Sequence, residues 1–426
     1  MAMLTPAERR RRALERHPTA PQVGIANAGQ IGARMLSEFA SCGSLAELMR
    51  SEQDAIWKLP DQQPPGAFLN DCGTGAYLLA LKDALVVPGG HLVRAVARQT
   101  KDDLPFGLQR SRDARPTPFV LTGNGQIFAD SFMRSKIVPA ELGYGSGGQW
   151  HGAIPEPTEV IEGTAVYREL VSRHFGHMLV DVPGRAWPAV FDDAGLLHGL
   201  PQVAFGINGL QPGNPLQIPK HGFTLLNAFG IDADRVVMPT QVTRVRRLIV
   251  PARIAPFGTQ SGRLFNQLGQ RAGDLLTKGT EAPGGLTERV FLSRSRLGKG
   301  VSRVAGLPEA RIDDVFAAAG FTILHPQEMS LADQVHAVRA ARQIGGVVGS
   351  QLHLSLFTRS EGVQIVQVRP AHWVNAVDHK LMEPLGGSVV SHPVAGLPDD
   401  PRSRARAPMN LTEPDLRDLA GFLSNL

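Results

Sequence analysis

Val290-Phe291-Leu292-Ser293-Arg294 is a short apolar run that stops on an arginine. Ile344-Gly345-Gly346-Val347-Val348-Gly349-Ser350-Gln351-Leu352-His353-Leu354-Ser355-Leu356-Phe357 is a second apolar run, broken by glycines. Gly320-Phe321-Thr322-Ile323-Leu324 lies between them, and Val363-Gln364-Ile365-Val366-Gln367-Val368 follows. Two segments of helical periodicity separate these strands. The order is strand, helix, strand, helix, strand, glycine turn, helix, strand, which is a parallel α/β unit. Such sheets bind ligands at the carboxyl ends of their strands. An arginine at one strand end and a glycine turn opening a helix at another suit a phosphate-bearing ligand.

Working outward, 426 residues are more than one typical core needs, so two domains are expected. The spacing predicts an extension over 1–75, an α/β domain over 76–278, a second over 279–396, and a linker with a final helix over 397–426. Within the extension, Ser44 to Trp57 has helical spacing. Tyr77–Leu81, Ala84–Val87 and Gln126–Asp130 read as short strands. Val166 to Val182 reads as a helix. Strands are expected at Gln202–Ile207, Arg235–Met238 and Arg247–Val250, and helices at His221–Phe229 and Gly262–Leu276. Thr412, with Asp415 three residues on, is an N-cap for a helix whose apolar face is Leu416, Leu419, Phe422, Leu423 and Leu426.

The net charge is +5, with 42% hydrophobic and 19% charged residues, a soluble globular composition. Only Cys42 and Cys72 occur, which excludes a disulfide framework, and the absence of any CxxC excludes zinc-ribbon patterns. A reducing, cytoplasmic compartment fits. Met1 to Arg16 is charged and helical without an apolar core behind it, so no secretory signal is expected. That basic first helix allows peripheral contact with an anionic inner-membrane surface. No apolar run reaches the roughly 18 residues of a spanning helix. No nucleic-acid partner is expected.

Several residues carry chemistry. His177 and Asp181 are four apart, so a helix puts them on one face, where the carboxylate can orient the imidazole as a general base. A helix cap or a buried hydrogen bond would use the same pair. His174 and Arg185 lie near. A metal would need a third ligand besides Asp181, and none is spaced for it, so no metal is expected. Gly349, Ser350 and Gln351 open the helix after the glycine turn, where unpaired amides favour an anion. Gly346 and Gly349 can equally be structural, needing positive φ. His353 sits one turn further. Gly24 to Gly32 lacks the GxGxxG spacing of a dinucleotide site, although Glu47 or Glu52 lies at a suitable distance.

These pieces together resemble glycosyltransferase family 61. His174-Phe175-Gly176-His177-Met178-Leu179-Val180-Asp181 with Arg185 is similar to the family's aromatic-Gly-His-Trp-Leu-hydrophobic-acidic segment and its trailing arginine. Arg247 to Pro251 resembles the strand before its interdomain stretch, and Phe291-Leu292-Ser293-Arg294 the opening of its donor domain. Gly320-Phe321 through Glu328 and Ser330 to Gln334 is similar to a strand-P-E-x-S-x-x-x-Q stretch. Gly346 to Phe357 resembles the Gly-Pro-His-Gly-Ala turn, with the family's proline falling on Val347 and its histidine on Val348. The resemblance implies a GT-B architecture, two Rossmann-like domains facing a central cleft, with the last helix crossing back onto the N-terminal domain. It implies inverting transfer of a sugar from a nucleotide sugar to a glycan or lipid-linked glycan, without a cofactor or required metal, in surface or capsular polysaccharide synthesis. His177 would be the base, oriented by Asp181, with Asp181 itself the second choice. Arg294, Gln334, Gly349, Ser350, Gln351 and His353 would hold the donor, supported by His174, Arg185 and Glu328. The substitution at Val348 makes a non-catalytic nucleotide-binding or scaffolding relative the alternative.

Overall fold

The computed structural model describes residues 39–58, 77–88, 118–123, 127–128, 156–207, 210, 213–254, 263–297, 303–371, 373, 375–395 and 408–426. The segments Met1–Arg16 and Gly24–Gly32, the prolines Pro60 to Pro65, and Cys72 lie outside them. The first half contains β1 (Ala40–Cys42), α1 (Leu45–Arg50), β2 (Ala55–Lys58), β3 (Tyr77–Val87), β4 (Phe119–Leu121), β5 (Ile127–Phe128), β6 (Glu159–Ser172), α2 (Phe175–Val180), β7 (Gln202–Ile207), α3 (Lys220–Ala228), β8 (Val236–Val237), β9 (Thr243–Pro251) and α4 (Arg263–Thr277). The second contains β10 (Arg289–Leu292), β11 (Val304–Gly306), α5 (Ala310–Ala318), β12 (Thr322–Leu324), α6 (Leu331–Ala340), β13 (Gln343–Val347), β14 (Gln364–Pro370), α7 (Ala376–Met382), β15 (Ser388–Val394), β16 (Met409–Leu411) and α8 (Glu413–Ser424).

The second half is the parallel unit read from the sequence. Its five strands run in the order β12-β10-β13-β14-β15, and every neighbouring pair is parallel. The strands are short runs of Val, Ile, Phe and Leu, as a sheet covered on both faces requires. Gly345 admits the sheet's aromatic cover: a β-carbon there would come within 2.8 Å of Phe316 and 2.9 Å of Phe291.

The first half is a mixed sheet ordered β1-β2-β3-β9-β6-β7-β8, with β4 and β5 added beside β3. β6 is parallel to both β9 and β7, whereas β3 is antiparallel to β2, β4 and β9. Of the two large sheets, only the C-terminal one is therefore wholly parallel. The helix expected over 166–182 is instead the inner end of β6, a turn, and the short α2. Val166, Tyr167, Leu170 and Val171 are all buried in the sheet. An apolar run with β-branched and aromatic residues suits a strand flanked on both sides, and its periodicity alone does not separate it from a buried helix. The helix expected over Ser44–Trp57 likewise splits into α1 and β2, and β2 joins the large sheet. Tyr77 to Val87 is one strand rather than two, passing through Asp83 at φ 48°.

The C-terminal helix corrects another expectation. α8 carries the expected capping box, Thr412 with Asp415. Leu416, Leu419 and Leu423 are buried with Ile312, Phe316 and Phe321, against the C-terminal sheet rather than the N-terminal half. Two features deliver it there: β16 pairs in parallel with β11, and Arg311 forks onto Glu413 at 2.9 and 3.2 Å. Phe422 is half-buried and Leu426 exposed, so the buried stripe is narrower than the sequence suggested.

A single apolar cluster joins the halves. It runs from Trp57 and Trp187 through α4 to Leu352, Leu356 and Phe357. Phe229 and Phe357 stack across it with centroids 6.1 Å apart. Gly269 on α4 permits this closeness, since a β-carbon would meet Leu356 at 2.5 Å from its carbonyl oxygen. Among the described residues no helix is long and apolar enough to cross a membrane.

Candidate active site

The strand order of the C-terminal sheet fixes where a ligand can sit. The chain leaves β10 for β12 on one side and returns to β13 on the other, so the crevice lies at the carboxyl ends of β10 and β13. Arg294 stands two residues beyond β10, and Gly349 two residues beyond β13. They are in contact: a β-carbon on Gly349 would collide with Nη1 of Arg294. Gly349 has φ 170°, an extended conformation open to any residue, so space and not strain demands glycine. No positive φ occurs at Gly346 either; a side chain there would strike Leu352.

Asp313 on α5 secures the arginine's loop. One of its oxygens, Oδ2, accepts from Ser293 Oγ at 2.8 Å and from Ser295 Oγ at 2.6 Å. Arg294 is the residue between those two serines. Burial pushes its pKa down, and the nearby Glu309 opposes that shift.

Beyond Gly349 the chain turns into a 3-10 helix, Ser350–Phe357. Gln351 is buried and its Nε2 donates to the Val347 carbonyl, which closes the turn. His353 is nearly buried, and its Nδ1 lies 2.8 Å from Asp378 Oδ1. Val348 is fully buried, and its amide continues the ladder by donating to the Val368 carbonyl at 2.9 Å. The position matched to the family's histidine is therefore shut off from solvent, and the turn itself is built from Gly349 to His353.

α2 comes from the other half and packs on this turn. A β-carbon at Gly176 would lie 2.7 Å from Ser350 Oγ and 3.3 Å from His174 Cε1. His174 and His177 rings are 4.9 Å apart. Burial, followed by the charges of His177, His353 and Arg303, lowers the His174 pKa to about 4, with Asp181 opposing. The histidines of both halves thus share one neighbourhood. Arg303, whose guanidinium lies 5.1 Å from the Trp373 ring centre, belongs to it too, and no sequence pattern marked it.

The expected His177–Asp181 pair forms, Nδ1 to Oδ2, with Asp181 at the C-terminal cap of α2. Asp181 is buried and its other oxygen accepts from Arg253 Nη2 at 3.2 Å. Arg253 also pairs with Glu169, and Glu169 accepts from Arg185 Nε at 2.7 Å. Arg185 further donates to the Pro251 carbonyl, and Arg168 Nη1 donates to the Arg185 carbonyl at 2.7 Å. Glu169 adopts φ 68° at a bulge where β6 slips register against β7. A non-glycine residue held in the left-handed region at a bulge is strained and is kept there by its surroundings. The two arginine pairs supply that restraint.

Arg185 is therefore a buried support behind Asp181 rather than part of the cleft surface. Gln334 and Glu328 are not gathered into the turn by any described contact. Gln334 Nε2 donates to the carbonyls of Pro326, at 2.8 Å, and Met329, at 3.2 Å, and so shapes the loop after β12. Glu328 is exposed and pairs with Arg296 at 2.7 Å. Sequence reasoning missed Glu169, Arg253, Asp313 and Asp378. Asp313 had a faint signal, a carboxylate in the first turn of the helix following a Ser-Arg-Ser run; the other three are joined to the site only by long-range folding.

Residues 175–366 match the family model described as Glycosyltransferase 61. The chain carries a glycosyltransferase 61 region. The match begins at the first residue of α2 and ends within β14, so it contains the histidine helix, the Arg294 loop and the Gly349 turn. Glycosyltransferase 61 proteins transfer a sugar from a donor to an acceptor. The N-terminal strands β1 to β6, together with α7 and α8, lie outside the matched glycosyltransferase 61 segment. No curated protein matches the chain.

Proposed function

We propose that the protein transfers a sugar from a nucleotide-sugar donor to a hydroxyl of a glycan or lipid-linked glycan acceptor, with inversion. The observation that carries this reading is the packing of α2 on the Ser350 turn, with Gly176 facing Ser350. It joins a histidine–aspartate pair from one half to a switch-point anion site from the other, the arrangement of a GT-B-like cleft.

In this reading the diphosphate lies between Arg294 and the amides opening the Ser350 helix, with Ser350, Gln351 and His353 completing the site. A leaving diphosphate gains negative charge as the glycosidic bond breaks. Preorganised guanidinium and amide dipoles stabilise that charge most where water is excluded. The protein's own cations supply the compensation, so the reading takes neither a metal nor a cofactor. The acceptor hydroxyl approaches from the α2 side. His177 Nε2 takes its proton while Asp181 holds Nδ1–H and favours the imidazolium. The inward orientation of Asp181, with one oxygen on His177 and the other on Arg253, favours His177 over Asp181 as the base. A cytoplasmic enzyme of bacterial surface or capsular polysaccharide synthesis, peripheral at the inner membrane, fits this chemistry.

The test is hydrolysis and transfer with a panel of UDP-, GDP- and CMP-sugars. Turnover of one donor is expected, lost in Arg294→Ala through donor affinity and in His177→Ala through turnover. No turnover of any donor across the panel and a set of glycan acceptors would sink the reading.

A further inference from the structure

Asp378 carries an inference beyond the site above. It lies at the third position of α7, outside the family-matched segment, and a helix-start acid of this kind ordinarily serves the helix dipole. Its contacts point elsewhere. The side chain is fully buried. Oδ1 meets His353 Nδ1 at 2.8 Å, and Oδ2 accepts from Gln367 Nε2 and, at 3.2 Å, from Asn375 Nδ2. Gln367 is itself fully buried in β14, and Ser391 Oγ on β15 approaches its Oε1 at 3.4 Å. Two neutral donors hold one carboxylate oxygen, and among the described residues the other meets only the imidazole.

Elementary hydrogen bonding then sets the ring. A carboxylate accepts only, so Nδ1 must carry a proton and donate. The ring cannot flip without placing a carbon edge against Asp378. Nε2 is thereby the ring's outward nitrogen, on a residue that stands in the turn between the Arg294 loop and α2. His353 is near enough to His174 for its charge to be felt there.

We propose that Asp378 is a positioning residue for the anion site: it fixes His353 through Nδ1–H and supports the imidazolium form, in which Nε2–H also donates, so that this histidine and Arg294 grip the donor's diphosphate from two sides. The inference rests on the nucleotide-sugar reading, which it deepens. It also makes the site a symmetrical pair of histidine–aspartate couples. His177–Asp181 serves the acceptor, and His353–Asp378 serves the leaving group. One couple takes a proton from the hydroxyl while the other meets the charge released at the diphosphate.

The experiment uses the full chain and inorganic pyrophosphate as the probe. Calorimetry on the wild type, Asp378→Asn, His353→Gln and the double variant gives a thermodynamic cycle. Each single variant should bind pyrophosphate about tenfold or more weakly, the loss of one charge-assisted hydrogen bond. The double variant should bind no worse than His353→Gln alone, because Asp378 acts through that ring. Additive losses, or unchanged affinity in the singles, would overturn the proposal. Asp378→Asn turns an amide against the donors of Gln367 and Asn375 and can fail to fold. The wild type therefore supplies a second measurement, histidine nitrogen NMR with His353 assigned from the His353→Gln spectrum. Nδ1 should be protonated throughout, and Nε2 should shift as pyrophosphate saturates; a silent Nε2 overturns the proposal. If Nε2 responds but no sugar donor is turned over, the transferase reading fails and the positioning role stands. If a donor is turned over with Nε2 silent, the reverse holds.

Discussion

Gly176 on α2 faces Ser350 at the start of the 3-10 helix, and no side chain fits between them. An added β-carbon would lie 2.7 Å from Ser350 Oγ and 3.0 Å from its Cβ. Gly176 is helical, so alanine suits its backbone, and intrinsic propensity would favour the exchange by up to about 1 kcal/mol. Overpacking costs about 1–3 kcal/mol against that gain, so Gly176→Ala should leave stability unchanged or lower it by up to about 2 kcal/mol, and push α2 off the turn. Turnover is expected to fall by tens-fold or more while donor affinity changes little, since misplacement of about 1 Å can cost a hundredfold. Steady-state kinetics beside a thermal melt read both effects; full activity would show that this contact does not set the geometry.

Gly349 tests the opposite partition. A side chain there strikes the Arg294 guanidinium and Gln351. The extended φ makes the cost purely steric, about 1–3 kcal/mol for overpacking. Gly349→Ala should lose donor affinity first, by displacing Arg294. Donor titration by calorimetry should show a raised Kd with a folded, cooperative melt; an unaltered Kd would separate Gly349 from the anion site.

Glu169 holds two buried arginines. Glu169→Ala removes the carboxylate shared by the buried Arg185 and Arg253 and should destabilise the fold by roughly 3–5 kcal/mol. Urea denaturation reads this directly. Alanine keeps the β-carbon and with it the left-handed strain, whereas Glu169→Gly relieves about 1–2 kcal/mol of it and should be less destabilised than Glu169→Ala. Equal stability of wild type and Glu169→Ala would mean that the ion pairs are ornamental.

His174 predicts a pH dependence. Its folded pKa, near 4, lies below the ordinary value of 6.5, because burial and neighbouring positive charges disfavour the imidazolium. On acidification the unfolded chain takes up this proton first. Stability should therefore be unaffected by His174 above pH 6.5, fall as pH drops through the window down to about 4, and level off below it. His174→Asn should flatten that part of the profile in denaturant midpoints measured from pH 7.5 to 4. A profile unchanged by the substitution would contradict the buried, neutral ring.

The serine clamp on the Arg294 loop gives a last prediction. Asp313→Ala removes the acceptor shared by Ser293 and Ser295, leaving Ser293 Oγ to donate to Ser295 Oγ at 2.9 Å; it costs about 1 kcal/mol and frees the loop. Donor Kd should rise, as measured by calorimetry, with turnover of bound donor nearly retained. A fall in turnover alone would assign Asp313 some other task.

The parallel sheet was legible because its strands announce themselves twice, through β-branched apolar runs and through the Arg294 and Gly349 punctuation that follows two of them. The His177–Asp181 couple was legible because helical spacing is a local property. β6 was misread because a buried central strand and a buried helix are both continuous apolar runs. α8 was placed on the wrong half because the N-terminal half and the C-terminal sheet offer the same amphipathic face a home; pairing of β16 with β11 decides it. Asp378 and Arg253 were invisible for a different reason. A carboxylate 25 residues from its histidine, or an arginine 72 residues from its aspartate, leaves no periodicity to read.

The stacked pair Phe229 and Phe357 has a consequence for selectivity. The rings clasp the two halves together behind the turn, within one uninterrupted apolar cluster. Prising the halves apart would wet that clasp, at about 25 cal/mol for each Å² of carbon newly exposed. That clasp holds the two histidine couples at a fixed separation before any ligand arrives. Under the transferase reading proposed above, an incoming sugar would find the site already assembled, and sugars would be chosen by the shape of a standing mould rather than by closure around the right one.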